Sequence, residues 1–152
     1  MTIRGTMQII LQALQVWAQE NNGSVHVAND VPHLFKLLGE APGSPRAGIL
    51  FAGETIRDPE NADVTGRVDR KFWVAVSRGH SLQSYNGKSL MDGIAGGLPM
   101  FDLVESARDA LREILLQGPG ENAPYYMGIE LLNFEGVTLD CYRIEIVLAA
   151  DI

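Results

Sequence analysis

Apolar positions near the start of the chain fall three and four residues apart: Met7, Ile10, Leu11, Leu14, Trp17 and Ala18. That spacing stacks them on one face of a helix. Thr6 stands where a cap would open it, so the pattern predicts a helix from there to about Glu20, stopped by Asn21-Asn22-Gly23. Ser24 to Val27 then suits a short strand. Val31 to Leu38 suits a short helix with Pro32 in its first turn and Gly39 as its stop.

Beyond that point the rhythm changes. Ala47-Gly48-Ile49-Leu50-Phe51-Ala52 is a compact apolar run after a Pro/Gly/Ser loop and predicts a buried strand. Arg57 to Asp63 is a polar loop. Arg67 to Arg78 predicts a longer strand, with Val68, Arg70, Phe72, Val74 and Val76 on one face. A glycine-rich arm spans residues 79 to 98.

The clearest helix comes next. Leu103, Val104, Ala107, Leu111, Ile114 and Leu115 form its apolar stripe, with Arg108, Asp109, Arg112 and Glu113 opposite. Asp102 and Glu105 have capping-box spacing at its start, and Gly118-Pro119-Gly120 ends it. Tyr125 to Phe134 and Val137 to Ala149 alternate as two strands joined tightly at Glu135-Gly136. The expected fold is a single α+β domain over residues 1–152. Its sheet is mixed or mostly antiparallel, the N-terminal and central helices pack on one side of it, and the chain closes with a β-hairpin.

Composition narrows the functional classes. The net charge of −7 lacks the basic surface that grips nucleic acid through its phosphates. It is compatible with a surface past which DNA slides unheld. No apolar run approaches the roughly 20 residues of a membrane span. The N-terminal apolar segment runs on into Gln and Asn without a small-residue cleavage site, and reads as a structural helix and not a signal peptide. Cys141 is the only cysteine, so no disulfide can form within the chain, which fits a reducing compartment.

The chemical motifs fail one by one. Gly87-Lys88-Ser89 suggests a phosphate-binding loop, but Leu82 occupies the position where that loop needs its first glycine. No helix is expected to open at Lys88, because Gly93, Gly96 and Gly97 interrupt the residues after it. Gly93-Ile94-Ala95-Gly96-Gly97 also lacks dinucleotide-binding spacing. His26, His33 and His80 are scattered, with no second ligand at metal-binding intervals. No nucleophile elbow surrounds Ser81 beside His80, and Cys141 reads as a small packed residue within a strand. Asp58, Glu60 and Asp63 are broken by Pro59 as a calcium loop. The residues therefore predict no catalytic, cofactor or metal site.

The order of elements, carried by RKFWVAVSRG, LPMFDLVESARDALREIL and YYMGIELLNFEGVTLDCYRIEIVL, resembles the tail terminator proteins of long-tailed bacteriophages and prophages, also called tail-to-head joining or minor tail proteins. The resemblance implies a structural, non-enzymatic subunit without a cofactor. It would form a ring, usually a hexamer, that caps the tail tube and offers the head connector a docking face. Its partners would be itself, the tube and the connector, with DNA passing through the lumen without specific binding; the net charge of −7 adds the expectation that this lumen is acidic. Its place would be the virion tail, assembled in the host cytoplasm. Within this reading Tyr85, Leu90 and Met91 of the arm are candidate subunit contacts, and Arg57, Arg67 and Arg70 candidate inter-subunit ion pairs. Two alternatives stand beside it. One is another head–tail completion or adaptor subunit. The other is a small ligand-binding or enzymatic α+β domain, with a pocket between central helix and sheet that draws in His80 and Asp92.

Overall fold

Thr2 opens the first helix, α1 (Ile3–Glu20), by accepting a hydrogen bond from the Gly5 amide at 2.9 Å. Thr6, the expected cap, lies inside the helix instead. It is buried, and its hydroxyl donates to the Thr2 carbonyl at 3.1 Å. At the other end Asn22 takes a left-handed conformation with φ 53°, and the Gly23 amide returns to the Ala18 carbonyl at 2.8 Å. This is the Schellman geometry that turns the chain directly into β1 (Ser24–Val27).

The structure is a computed structural model, which describes residues 2–40, 42–56, 67–80, 88–93, 98–117, 124–133 and 139–151. The remaining elements are α2 (Val31–Gly39), β2 (Arg46–Ile56), β3 (Arg67–Ser77), a single turn α3 (Lys88–Met91), α4 (Met100–Gln117), β4 (Pro124–Leu131) and β5 (Tyr142–Asp151). Asp30 caps α2 through the His33 amide at 2.8 Å, and His33 Nδ1 accepts from the Asn29 amide at 3.0 Å. This reciprocal pair is a variant of the capping box. α4 begins two residues before Asp102, since the Leu103 amide already bonds the Pro99 carbonyl at 3.0 Å. Asp102 thus sits in the first turn, where its charge still suits the positive end of the helix.

The strands form one five-stranded sheet in the order β1-β2-β3-β5-β4. β1 runs parallel to β2 and every other pair is antiparallel, so the α+β fold has a mixed sheet. The expected C-terminal hairpin is present as the β4–β5 pair, although β5 begins at Tyr142, and the Glu135-Gly136 connection lies outside the described residues. β2 and β3 pair along their whole lengths, with a bulge between Phe51 and Gly53 that Gly53 absorbs at φ 119°.

Alternation along the strands sends two sets of side chains to opposite faces. Phe72, Val74 and Val76 of β3 and Ile144, Ile146 and Leu148 of β5 meet α1 and α4, as the sequence predicts. Ile10, Leu14 and Trp17 of α1 and Leu103, Ala107 and Leu111 of α4 complete this core. Trp17 Nε1 donates to Ser106 Oγ at 2.9 Å, which satisfies the one polar atom that the indole brings inside. Each fully buried large aliphatic or aromatic side chain there contributes about 1.5–3 kcal/mol.

The second face is covered by α2, which places Leu34, Phe35 and Leu38 against Leu50, Ala75 and Cys141. Gly48 of β2 makes the approach possible, because a Cβ there would lie 2.2 Å from Leu34 Cδ1. The rest of this face carries Trp73 and Arg143, with the guanidinium 4.2 Å from the centre of the indole ring.

Candidate functional site

The most concentrated polar chemistry among the described residues lies where β3 gives way to the glycine-rich arm. Asp140, just ahead of β5, is fully buried. Its Oδ1 accepts from Ser77 Oγ at 2.8 Å and from the amides of His80 at 3.2 Å and Arg78 at 3.3 Å. Its own amide donates to the His80 carbonyl at 2.8 Å. Ser77 Oγ in turn accepts from the Gly79 amide at 2.8 Å, and Gly79 makes the turn at φ 75°. One carboxylate therefore gathers the end of β3 and the residues after it onto the start of β5. Buried anions persist only with such donors around them.

Arg78 extends the clasp to the residues just ahead of α4. Its guanidinium donates to the Leu98 carbonyl, and its own carbonyl accepts from the Gly43 amide at 2.7 Å. Burial lowers the Arg78 pKa and the nearby Asp140 charge works in the opposite direction. Burial, reinforced by Asp140, pushes the Cys141 thiol and the Tyr142 phenol up. A thiol held protonated in this way is a poor nucleophile. Cys141 is buried just before β5 and not within it, and behaves as the packed residue that the sequence predicts.

The candidate contact residues do not converge. Met91 is 66% exposed. Leu90 turns inward and packs against the main core, so it has the intrachain partner that the sequence pattern did not reveal. Arg70 lies directly opposite Glu54 in the β2–β3 register, and its Nε meets Glu54 Oε1 at 2.6 Å. Its ion pair is thus made within the chain, although the sequence pattern had offered it to a neighbour. Arg67 is exposed at the start of β3, opposite Asp151. Tyr85 and Arg57 lie outside the described residues.

A turn of helix does open at Lys88, contrary to expectation, but it lasts four residues and ends at Gly93 with φ 78°. The interval between α4 and the sheet is filled by the core side chains of both. Asp92 is exposed just past α3, while the backbone of His80 belongs to the Asp140 clasp. An open crevice of about 470 Å³ lies between the end of α1 and β1, lined by Gln15, Ala18, Gln19, Gly23, Ser24 and Val25, none of them titratable. Among the described residues no three His, Cys, Asp or Glu side chains gather as a metal site would require, and no helix is long and apolar enough to cross a membrane.

The Asp140 clasp escaped the sequence reading. Its one available signal was an acidic residue between Leu139 and Cys141, a position that the strand pattern reserves for packing. Comparison with protein-family models and with curated proteins finds no match to this chain.

Proposed function

We propose that this chain is a structural subunit of a phage or prophage tail, a terminator that assembles into a ring, caps the tail tube and presents a docking face to the head connector. The observation that carries the reading is the sheet order. β1 closes one margin and β4 the other, and among the described residues neither strand has a second neighbour. A ring needs two unlike surfaces on each subunit, joined head to tail until the rotation closes. Two different strand margins at opposite ends of one sheet supply that arrangement. The net charge of −7 gives further support, since an acidic lumen repels the DNA backbone and leaves it free to move.

In this reading Met91 and Arg67, both exposed, remain candidates for subunit contacts, and Tyr85 and Arg57 join them by sequence. Native mass spectrometry over a concentration series, with electron microscopy of the chain mixed with tail tubes, tests the proposal. The expected result is a discrete ring, or chain density at tube ends together with arrested tube growth. A monomer at every concentration that leaves tube length unchanged would sink it.

A further inference from the structure

The turn that ends α1 is built from a chemically labile pair of neighbours. Asn22 is exposed and stands in the left-handed region at φ 53°, which asparagine tolerates better than most residues with a side chain. Gly23 follows it, and a Cβ there would lie 2.4 Å from the Pro45 carbonyl oxygen. Local geometry thus favours each residue for its own reason, and together they form Asn-Gly. A backbone nitrogen that has lost its proton can attack the side-chain carbonyl carbon of an asparagine before it. Glycine leaves that approach uncrowded.

Hydrogen bonds on both sides restrain the attack in the folded chain. The Gly23 amide donates to the Ala18 carbonyl at 2.8 Å, so the nitrogen that would react is already committed. Asn21 secures the last turn of α1, its side-chain amide donating to the Trp17 carbonyl at 2.9 Å. Beyond the turn, Ser44 Oγ donates to the Asn22 carbonyl at 3.3 Å and the Ser24 amide to the Pro45 carbonyl at 3.0 Å. Reaction needs the Gly23 nitrogen freed, and fraying ends are where a folded chain opens most readily.

We propose that Asn22 is a site of spontaneous deamidation, that opening of the α1 cap sets its rate, and that the product unseats β1. Hydroxide removes the Gly23 amide proton. The nitrogen forms a bond to Asn22 Cγ, the bond from Cγ to the side-chain nitrogen breaks, and ammonia leaves with a proton from water. Water then opens the cyclic imide at either carbonyl, which yields an aspartyl or an isoaspartyl residue at position 22. Both products put a carboxylate near Glu20 at the negative end of the α1 dipole, and the last turn has no basic residue to offset it. The isoaspartyl product also adds a methylene to the main chain just before Gly23. The close fit of Gly23 against Pro45 and its bond to Ala18 set the start of β1, whose register with β2 begins at Ser24 and Arg46. This inference is independent of the ring reading, because ageing is followed on the chain alone.

The full chain is aged in mildly alkaline buffer, folded and in guanidinium. Peptide mapping by mass spectrometry follows position 22, and isoaspartyl methyltransferase labelling separates the two products. Modification of the folded chain is expected to be about tenfold or more slower than that of the unfolded chain. Asn21→Ala loosens the cap without touching either reacting residue, and its Gly23 amide exchange and its modification rate are expected to rise together, with circular dichroism to verify folding. In the isoaspartyl fraction the amides of Ser24 and Ala28, which donate to the Pro45 and Ile49 carbonyls, are expected to lose protection. Asn22→Gly keeps the left-handed turn, removes the reacting carbonyl and should age without that loss. Equal rates in the folded and unfolded chain, or rates that do not follow Gly23 exchange, would overturn the role of the cap. A chain that ages without change at position 22 would overturn the site itself, and a modified chain with Ser24 and Ala28 still protected would overturn its effect on β1.

Discussion

Removing the Asp140 carboxylate is the most informative single perturbation of this fold. In Asp140→Ala, a site that is fully buried loses the oxygen shared by Ser77 Oγ, the Arg78 amide and the His80 amide. A buried donor left without an acceptor costs about 1–3 kcal/mol. The three do not simply add, because the amide bonds are long at 3.2 and 3.3 Å and the serine hydroxyl is free to rotate. Arg78 also loses a compensating charge close by. A total of about 3–5 kcal/mol is expected, the range found when one partner of a buried charged network is deleted. Asp140→Asn keeps an oxygen for the same donors and is expected to lose about half as much. Urea unfolding followed by circular dichroism measures both, and hydrogen exchange at Arg78, Gly79 and His80 reports the clasp directly. A loss below about 1 kcal/mol in Asp140→Ala, with those amides still protected, would refute the reasoning.

Two further outcomes concern neighbouring groups. The folded chain holds the Cys141 proton that the unfolded chain releases above the ordinary thiol value of 9.0. The unfolded state therefore binds fewer protons there, and stability falls as pH rises, by up to ~1.4 kcal/mol per unit. Tyr142 acts in the same direction above its ordinary value of 10.0. Urea midpoints taken between about pH 8 and pH 11 should show this decline, with a shallower slope in Cys141→Ala, and an unchanged slope would count against the assignment. Gly48→Ala drives a methyl group into fully buried Leu34 and should cost about 1–3 kcal/mol, seen as a lower Tm. Adding Leu34→Ala should recover part of that loss, and strictly additive losses would show that the two side chains do not collide.

Helices α1, α2 and α4 were legible because each carries its own apolar stripe, whereas the single turn α3 is too short for one. Leu103, Ala107 and Leu111 lie on the buried face that their spacing predicts, as do Ile10, Leu14 and Trp17. Helix starts were less legible, since Thr2 and Thr6 both have the chemistry of a cap and only packing decides between them. The sheet order was beyond a local reading. Nothing in Ser24 to Val27 announces parallel pairing with Arg46 to Ile49, and the insertion of β5 between β3 and β4 depends on α4 crossing the sheet. The same limit explains the polar sites. Arg70 meets Glu54 and Ser77 meets Asp140 through strand register and loop closure, at separations that no periodicity can encode.

The clasp also bears on how the parts of the domain open together. Arg78 reaches over to the Leu98 carbonyl while Asp140 secures the residues on either side of Gly79, so the end of β3, the start of β5 and the approach to α4 are tied at one point. Loosening any one of these bonds should therefore be felt in all three elements at once, so that they open as a single cooperative unit.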